Sequence, residues 1–376
     1  MNFPFKPFAH LQFTQALNTT IQYNLSDSCA ESLSVQQLLD LETDQSFLKQ
    51  PLTYASIQGD ERLREEIAVA TSHQYQSMHV SLYSGVQEAI FCALNAILTD
   101  GGEVIAIKPC YPSLVEICHQ LGAKLHIIEP KFEQQWNLEL SDFTQFINTK
   151  TRLIILNSPH NPTGMVIDDS IQYALIEASV KNSYTVLLDE VSVWTHPQTP
   201  NAKLLPNNHK TDTLKNILRL GVMSKSLGLP GIRIGWAVTQ NAKLQARMLE
   251  IKSYLSICCS RTDEQFARIA FKHRQKILEH NNQIVEDNKK LFNSFVKKHQ
   301  RVLAWHTPKA GLLSLLRIEQ RLTPTKFSTE LAQKYQLLLL PSQLFGLDGP
   351  YYRLGLGKSN FVDALNVFEK AMILAK

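Results

Sequence analysis

The stretch GVMSKSLGLPGIRIGW, residues 221–236, sets a lysine and an arginine where both could do chemistry. Lys225 follows the apolar run NILRLGVM and precedes a glycine-proline turn. That order puts its amine at the carboxyl end of a sheet strand, the place where open α/β sheets bind ligands. An amine so placed is a candidate Schiff-base nucleophile. Taken alone, a lysine beside a loop is more often a solvated surface group, so its neighbours have to decide. In NSPHNPTG, Asn161 occupies a turn after the apolar run RLIIL, where its amide could bond a ligand oxygen. In TVLLDE, Asp189 ends another apolar run, and a lone carboxylate there is costly to bury without a cationic partner. In SLYSGVQEAI, a strand, a glycine turn and a helix start bring the N–H groups of Gly85, Val86 and Gln87 to a helix amino terminus, a geometry that cradles phosphate. Each of these has a bland reading as a turn, a cap or an ordinary helix start.

Their order and spacing narrow the choice. Asn161 is followed by Asp189 after 28 residues, Lys225 after a further 36 and Arg233 after eight more. With PHNPTG and SKSLGLPGIRIGW, this pattern resembles the class I/II aminotransferase family, pyridoxal-phosphate-dependent enzymes of fold type I, and is nearest the capreomycidine-synthase-like subgroup. The likeness runs from YASIQGDERLREEIA near residue 54 to YYRLGLG near residue 351. It implies that Lys225 holds pyridoxal 5'-phosphate as a Schiff base and, once released, carries the proton at the substrate α-carbon. It implies phosphate contacts from Arg233, Ser224 and the Gly85, Val86 and Gln87 amides, with the glycines Gly228, Gly231 and Gly235 allowing close backbone approach. Asp189 would pair with the pyridine nitrogen, Asn161 with the phenolic oxygen, and Tyr111, in PCYP, would stack on the ring. Tyr54 would reach the phosphate of a neighbouring subunit, which implies a homodimer, and Arg353 would clamp the substrate α-carboxylate.

Two positions depart from the family pattern. Ser192 stands where a tyrosine commonly bonds the phenolic oxygen, and Val222 where a serine often binds phosphate. The resemblance therefore implies an aminotransferase passing the amino group of an L-amino acid to a 2-oxo acid, with a lyase, replacement or cyclising enzyme as the alternative. A ligand-sensing domain without catalysis is disfavoured by the presence of both Lys225 and Arg353. His160, beside Asn161, is expected to support the loop and not to act as a base. Arg261 reads as a residue at a helix start.

The elements that must hold these groups are those of an α/β fold. Short apolar runs (VSLY, EVIAI, KLHII, RLIIL, TVLLD, NILRL and IGWAV) alternate with amphipathic stretches. Runs apolar at every position fit a central, mostly parallel sheet covered by helices on both faces. From about Asp263 a long amphipathic helix is expected, followed by a smaller α/β unit containing GLLSLLRI, LLLLP and YYRLGL and a last helix from Ser359. The expected division is a large cofactor-binding domain at 46–265 and a small domain from 1–45 and 266–376. With 376 residues, 44% hydrophobic, 19% charged and a net charge of +4, the chain has material for a sizeable core and no basic stripe implying nucleic acid. No apolar run approaches the ~20 residues of a membrane span, and the proline-punctuated amino terminus does not read as a secretory signal. Six cysteines without a CxxC pair suit reduced thiols in a cytoplasm.

Overall fold

The computed structural model describes residues 6–44, 46–195, 213–319 and 322–374. Seven strands form the main sheet: β1 (Val80–Ser84), β2 (Glu103–Ile107), β3 (Lys124–Ile128), β4 (Thr151–Asn157), β5 (Thr185–Asp189), β6 (Ile217–Val222) and β7 (Ile234–Val238). Their order is β1-β7-β6-β5-β4-β2-β3. Strand β7 runs antiparallel to both its neighbours, and the other pairs are parallel. The all-apolar runs have the cause the sequence suggests. Ile154, Leu156, Val186 and Leu188 enter one hydrophobic cluster, while Leu153, Ile155 and Leu187 enter another. Successive side chains point to opposite faces, so a strand covered on both sides favours apolar residues at every position, and buried Arg219 of β6 is held by Glu190 at 2.6 Å.

A second sheet contains β8 (Leu303–Trp305), β9 (Leu313–Ile318), β10 (Leu340–Pro341) and β11 (Tyr351–Gly355), all antiparallel in the order β10-β11-β9-β8. Early chain joins this unit: Tyr23–Asn24 pairs in parallel with Leu337–Leu338, and Leu25 and Ala30 pack in a cluster with Phe292, Leu316, Tyr352 and Leu354. The segment after residue 24 is thereby drawn between the two sheets.

The long helix expected from Asp263 is two helices, Arg261–Lys272 and Arg274–Lys298, broken at His273. The second half spans two cores: its Ile277 and Leu278 still join the main-sheet cluster that holds the first half. Phe271 packs edge-on against Trp194 and Trp236 beside the main sheet, whereas Val285, Phe292 and Phe295 belong to the cluster of the second sheet. The second half thus runs from one core into the other. Among the described residues no helix is long and apolar enough to cross a membrane, and all six cysteines are free.

Candidate active site

The parallel strands end side by side. Asn157 at the end of β4 pairs in register with Asp189 at the end of β5, and Asp189 pairs with Leu220 of β6. The turn after β6 then carries Lys225 and returns through Arg233 into β7. Arg233 has φ 49°, and the carbonyl of Lys225 accepts hydrogen bonds from Gly228 N at 3.1 Å and Ala30 N at 3.0 Å. Gly228 is required at its position. Its φ is +68°, and a β-carbon there would lie 1.9 Å from the carbonyl oxygen of Glu31, so only glycine lets the early segment dock on the lysine turn.

The segments that end β4 and β5 each carry a side-chain oxygen without a partner, and the turn carries the lysine amine. One oxygen of Asp189 is buried and unpartnered, and burial raises the carboxyl to about 7 against the opposing pull of Lys225. The side-chain oxygen of Asn161 is likewise buried without a partner, its backbone being fixed by a 2.7 Å bond from its N–H to Asn157 Oδ1. The Lys225 amine is pushed below its ordinary value, mainly by burial and also by the charge of Arg353, and its Nζ donates to Ser28 Oγ at 2.7 Å.

At the carboxyl end of β1, Gly85 caps the helix Val86–Ile97 with φ +78° and no side-chain cap. Its own N–H donates to the Tyr83 carbonyl at 2.7 Å, so the helix-end donors are those of Val86 and Gln87, and Gly85 contributes its missing side chain. Into that space comes Arg233, whose Nη2 would lie 2.2 Å from a β-carbon on residue 85. An exposed guanidinium over a helix amino terminus makes an anion cup. Ser224 is buried at the start of the lysine turn, and half-buried Tyr111 meets the Phe8 ring edge-on at 5.8 Å.

Arg353 reaches the same cleft from β11. It is buried, its Nη2 donates to the Ser26 carbonyl at 2.9 Å, its Nε has no partner, and its Cζ lies 4.5 Å from the Phe345 ring centre. Burial lowers the guanidinium to about 10, which still leaves it charged at neutral pH. Tyr54 stands apart from this group. It is 83% exposed in a cavity of about 770 Å³ lined by Leu52, Ser256, Cys258 and Arg261. His160 is buried, bonded to Thr163 Oγ1 at 2.8 Å and pushed down to about 3 by burial, as suits a loop support.

No sequence pattern marks Ser26, Ser28 and Cys29, which the fold brings against Arg353 and Lys225, or His10, whose ring stacks on Phe345 at 5.6 Å. These residues lie far from the lysine turn in the chain and form no local pattern.

A lysine on the turn after a parallel strand, with an anion cup formed where that turn returns to the sheet and with a buried carboxyl and amide carrying free oxygens, fits a phosphorylated pyridine aldehyde. The residues present suit pyridoxal 5'-phosphate, and the fold is that of the fold type I enzymes that use it. The family model for aminotransferases of class I and II matches residues 31–362, so the chain belongs to that pyridoxal-phosphate-dependent family. The chain is 27% identical to capreomycidine synthase of Streptomyces vinaceus over 77% of this chain and 72% of that one. It is also 27% identical to an aspartate aminotransferase of Sulfurisphaera tokodaii, over 78% and 75%. The fold matches the crystal structure of a pyridoxal-phosphate-dependent aminotransferase from Streptococcus suis with TM-score 0.90 at 22% identity, covering 100% of this chain and 99% of that one.

Proposed function

We propose that the chain is an aminotransferase moving the amino group of an L-amino acid to a 2-oxo acid. The observation that carries this reading is the convergence of two cations, half-buried Lys225 and buried Arg353, on one cleft beside the unpartnered oxygens of Asp189 and Asn161. Bound pyridoxal phosphate supplies an electron sink that weakens the bonds at the substrate α-carbon. Arg353 holds the α-carboxylate with its free Nε and a terminal nitrogen, and so turns the α-hydrogen toward Lys225. Lys225 takes that proton and returns it, a role for which an amine lowered by burial is suited. Asp189 keeps the pyridine nitrogen protonated, Asn161 bonds the phenolic oxygen, Tyr111 covers the ring, and Arg233, Ser224, Val86 and Gln87 hold the phosphate.

We infer further that the enzyme is a homodimer divided into domains at 46–265 and at 1–45 with 266–376. Supporting this is the exposed apolar surface around Tyr54: Leu52 is 87% and Tyr254 91% exposed. Such a surface suits a second copy whose site Tyr54 completes. Free cysteines suit a cytoplasmic setting.

A second reading, a lyase, replacement or cyclising enzyme acting on an amino acid, is favoured by Ser192 standing where the family commonly has tyrosine, and by the similarity to a capreomycidine synthase. Purified protein incubated with single amino acids and pyruvate or 2-oxoglutarate tests both. Formation of a new amino acid from the 2-oxo acid supports transfer; release of ammonia or pyruvate without an acceptor supports the second reading. Lys225→Ala should remove the visible absorption of lysine-linked cofactor together with turnover, and retention of that band would overturn the role of Lys225.

A further inference from the structure

The segment from Ser26 to Ala30 joins the two cations of the cleft. At one end the Ser26 carbonyl accepts from Arg353 Nη2, while the Ser26 hydroxyl donates to the Arg353 carbonyl at 2.5 Å and accepts from Leu340 N at 2.7 Å. At the other end Ala30 N donates to the Lys225 carbonyl at 3.0 Å. Lys358 Nζ holds the Ala30 carbonyl at 2.9 Å and lies 3.5 Å from Asp27 Oδ2, and Asp27 Oδ1 accepts from Cys29 N at 2.9 Å. With its backbone fixed on both sides, the segment delivers one hydroxyl to the lysine: Ser28 Oγ, 2.7 Å from Nζ, with Cys29 Sγ farther off at 4.0 Å.

We propose that Ser28 is a positioning residue that holds the Lys225 amine whenever it is not joined to cofactor, keeping it aimed at the α-carbon of the substrate that Arg353 anchors. This rests on the reading of Lys225 as the cofactor lysine. The physical need is plain. A lysine stem has four rotatable carbon bonds and a large rotamer entropy, so a released amine left unheld would sample many positions away from the reacting atom. A hydroxyl suits both states of the amine, since it accepts from an ammonium and donates to a neutral nitrogen. Because Ser26 and Ser28 lie on one short segment, the anchor for the carboxylate arginine and the anchor for the lysine are held at a fixed separation.

The charged and titratable groups facing the amine are Arg353, Asp27, Asp189, Cys29 and, from the amino-terminal helix, His10. Burial and Arg353 favour the neutral amine; Asp27, Asp189 and Cys29 favour the ammonium. A hydrogen bond that the ammonium donates to Ser28 adds to the second group, so its loss should lower the amine's titration midpoint.

Trace acetylation with acetic anhydride across pH, read by mass spectrometry at the Lys225 peptide of the full-length protein freed of cofactor, measures that midpoint without relying on activity. Ser28→Ala should lower it by about one pH unit, the equivalent of a single charge-assisted hydrogen bond, while Ser28→Thr should keep it. In the loaded enzyme Ser28→Ala should reduce kcat several-fold with a smaller change in KM, and Thr should restore it. If Ser28→Ala fails to fold, Ser28→Cys replaces it, a weak acceptor expected to shift the midpoint in the same direction. An unchanged midpoint in Ser28→Ala, or in Ser28→Cys where that variant is used, would overturn the proposal. Loss of the Lys225 role itself would show separately, as a visible band retained in Lys225→Ala.

Discussion

Gly85 and Arg233 share one space: the hydrogen of glycine at residue 85 leaves room for the guanidinium, which a β-carbon would meet at 2.2 Å from Nη2 and 2.8 Å from Cζ. The pairing explains why a helix that could be capped by serine or aspartate is capped by a residue with no side chain. The anion cup needs the arginine directly above the open N–H groups of Val86 and Gln87.

Gly85→Ala therefore acts on cofactor binding before it acts on the fold. It pushes the guanidinium off the helix end and places a β-carbon on a backbone with φ +78°. Losing one charge-assisted contact costs about 1.5–3 kcal/mol, so the Kd for pyridoxal phosphate should rise roughly 10- to 100-fold. Titration of cofactor-free protein by absorbance measures this, and an unchanged Kd would count against the cup.

Asp189 predicts a pH-dependent stability. Its carboxyl, raised by burial to about 7, stays protonated in the cofactor-free fold while the unfolded chain ionises near its ordinary 3.8. Between those values the native state binds the extra proton, so the contribution of Asp189 to stability falls as pH rises through this window and is fully lost above about 7. His160 works in the opposite sense: held neutral with its value near 3, it costs stability as pH falls below the ordinary 6.5. The comparison must therefore be between wild type and Asp189→Asn. The variant should gain stability relative to wild type from pH 5 to pH 8, by roughly 4 kcal/mol at most and read as a growing difference in Tm, and should bind cofactor more weakly. A constant difference in Tm across that range would show that the carboxyl is not held protonated.

How much of this was legible in the sequence follows from what each feature depends on. Strands β2, β4 and β5 could be read because burial on both faces leaves a run of apolar residues, and a strand end followed by Asn161, Asp189 or Lys225 marks its own site. The break at His273 left no such trace. Apolar periodicity continues across it, since Phe271 before the break and Ile277 and Leu278 after it enter the same cluster. Ser28 was invisible for another reason: it lies 197 residues from Lys225, and its meeting depends on the Tyr23–Asn24 pairing with Leu337–Leu338 and on Gly228 admitting the backbone of Glu31. Gly85 was legible as part of the cup, but the use of its N–H by Tyr83 was not, because the bond arises from the tightness of the turn.

Arg353 separates an enzyme that works on amino acids from a protein that only holds the cofactor. One hydrogen of Nη2 is committed to the Ser26 carbonyl at 2.9 Å, and the Phe345 face fixes the plane of the guanidinium, leaving the unpartnered Nε and the second hydrogen of Nη2 as the edge offered to a carboxylate. Lysine at this position keeps the charge, but its single ammonium cannot hold Ser26 and present two parallel donors, and it has no flat face to lie on Phe345. Arg353→Lys should therefore lower kcat/KM for the amino-acid substrate by roughly one to two orders of magnitude. The visible band of lysine-linked cofactor should persist, because Arg353 does not hold the cofactor. An amine lacking the carboxylate gives the control: wild type and variant should process it at nearly equal rates, since neither has anything for residue 353 to grip. Equal loss for both compounds would point to a disturbed cleft in place of a lost clamp, and unchanged amino-acid turnover would mean that the carboxylate is held elsewhere.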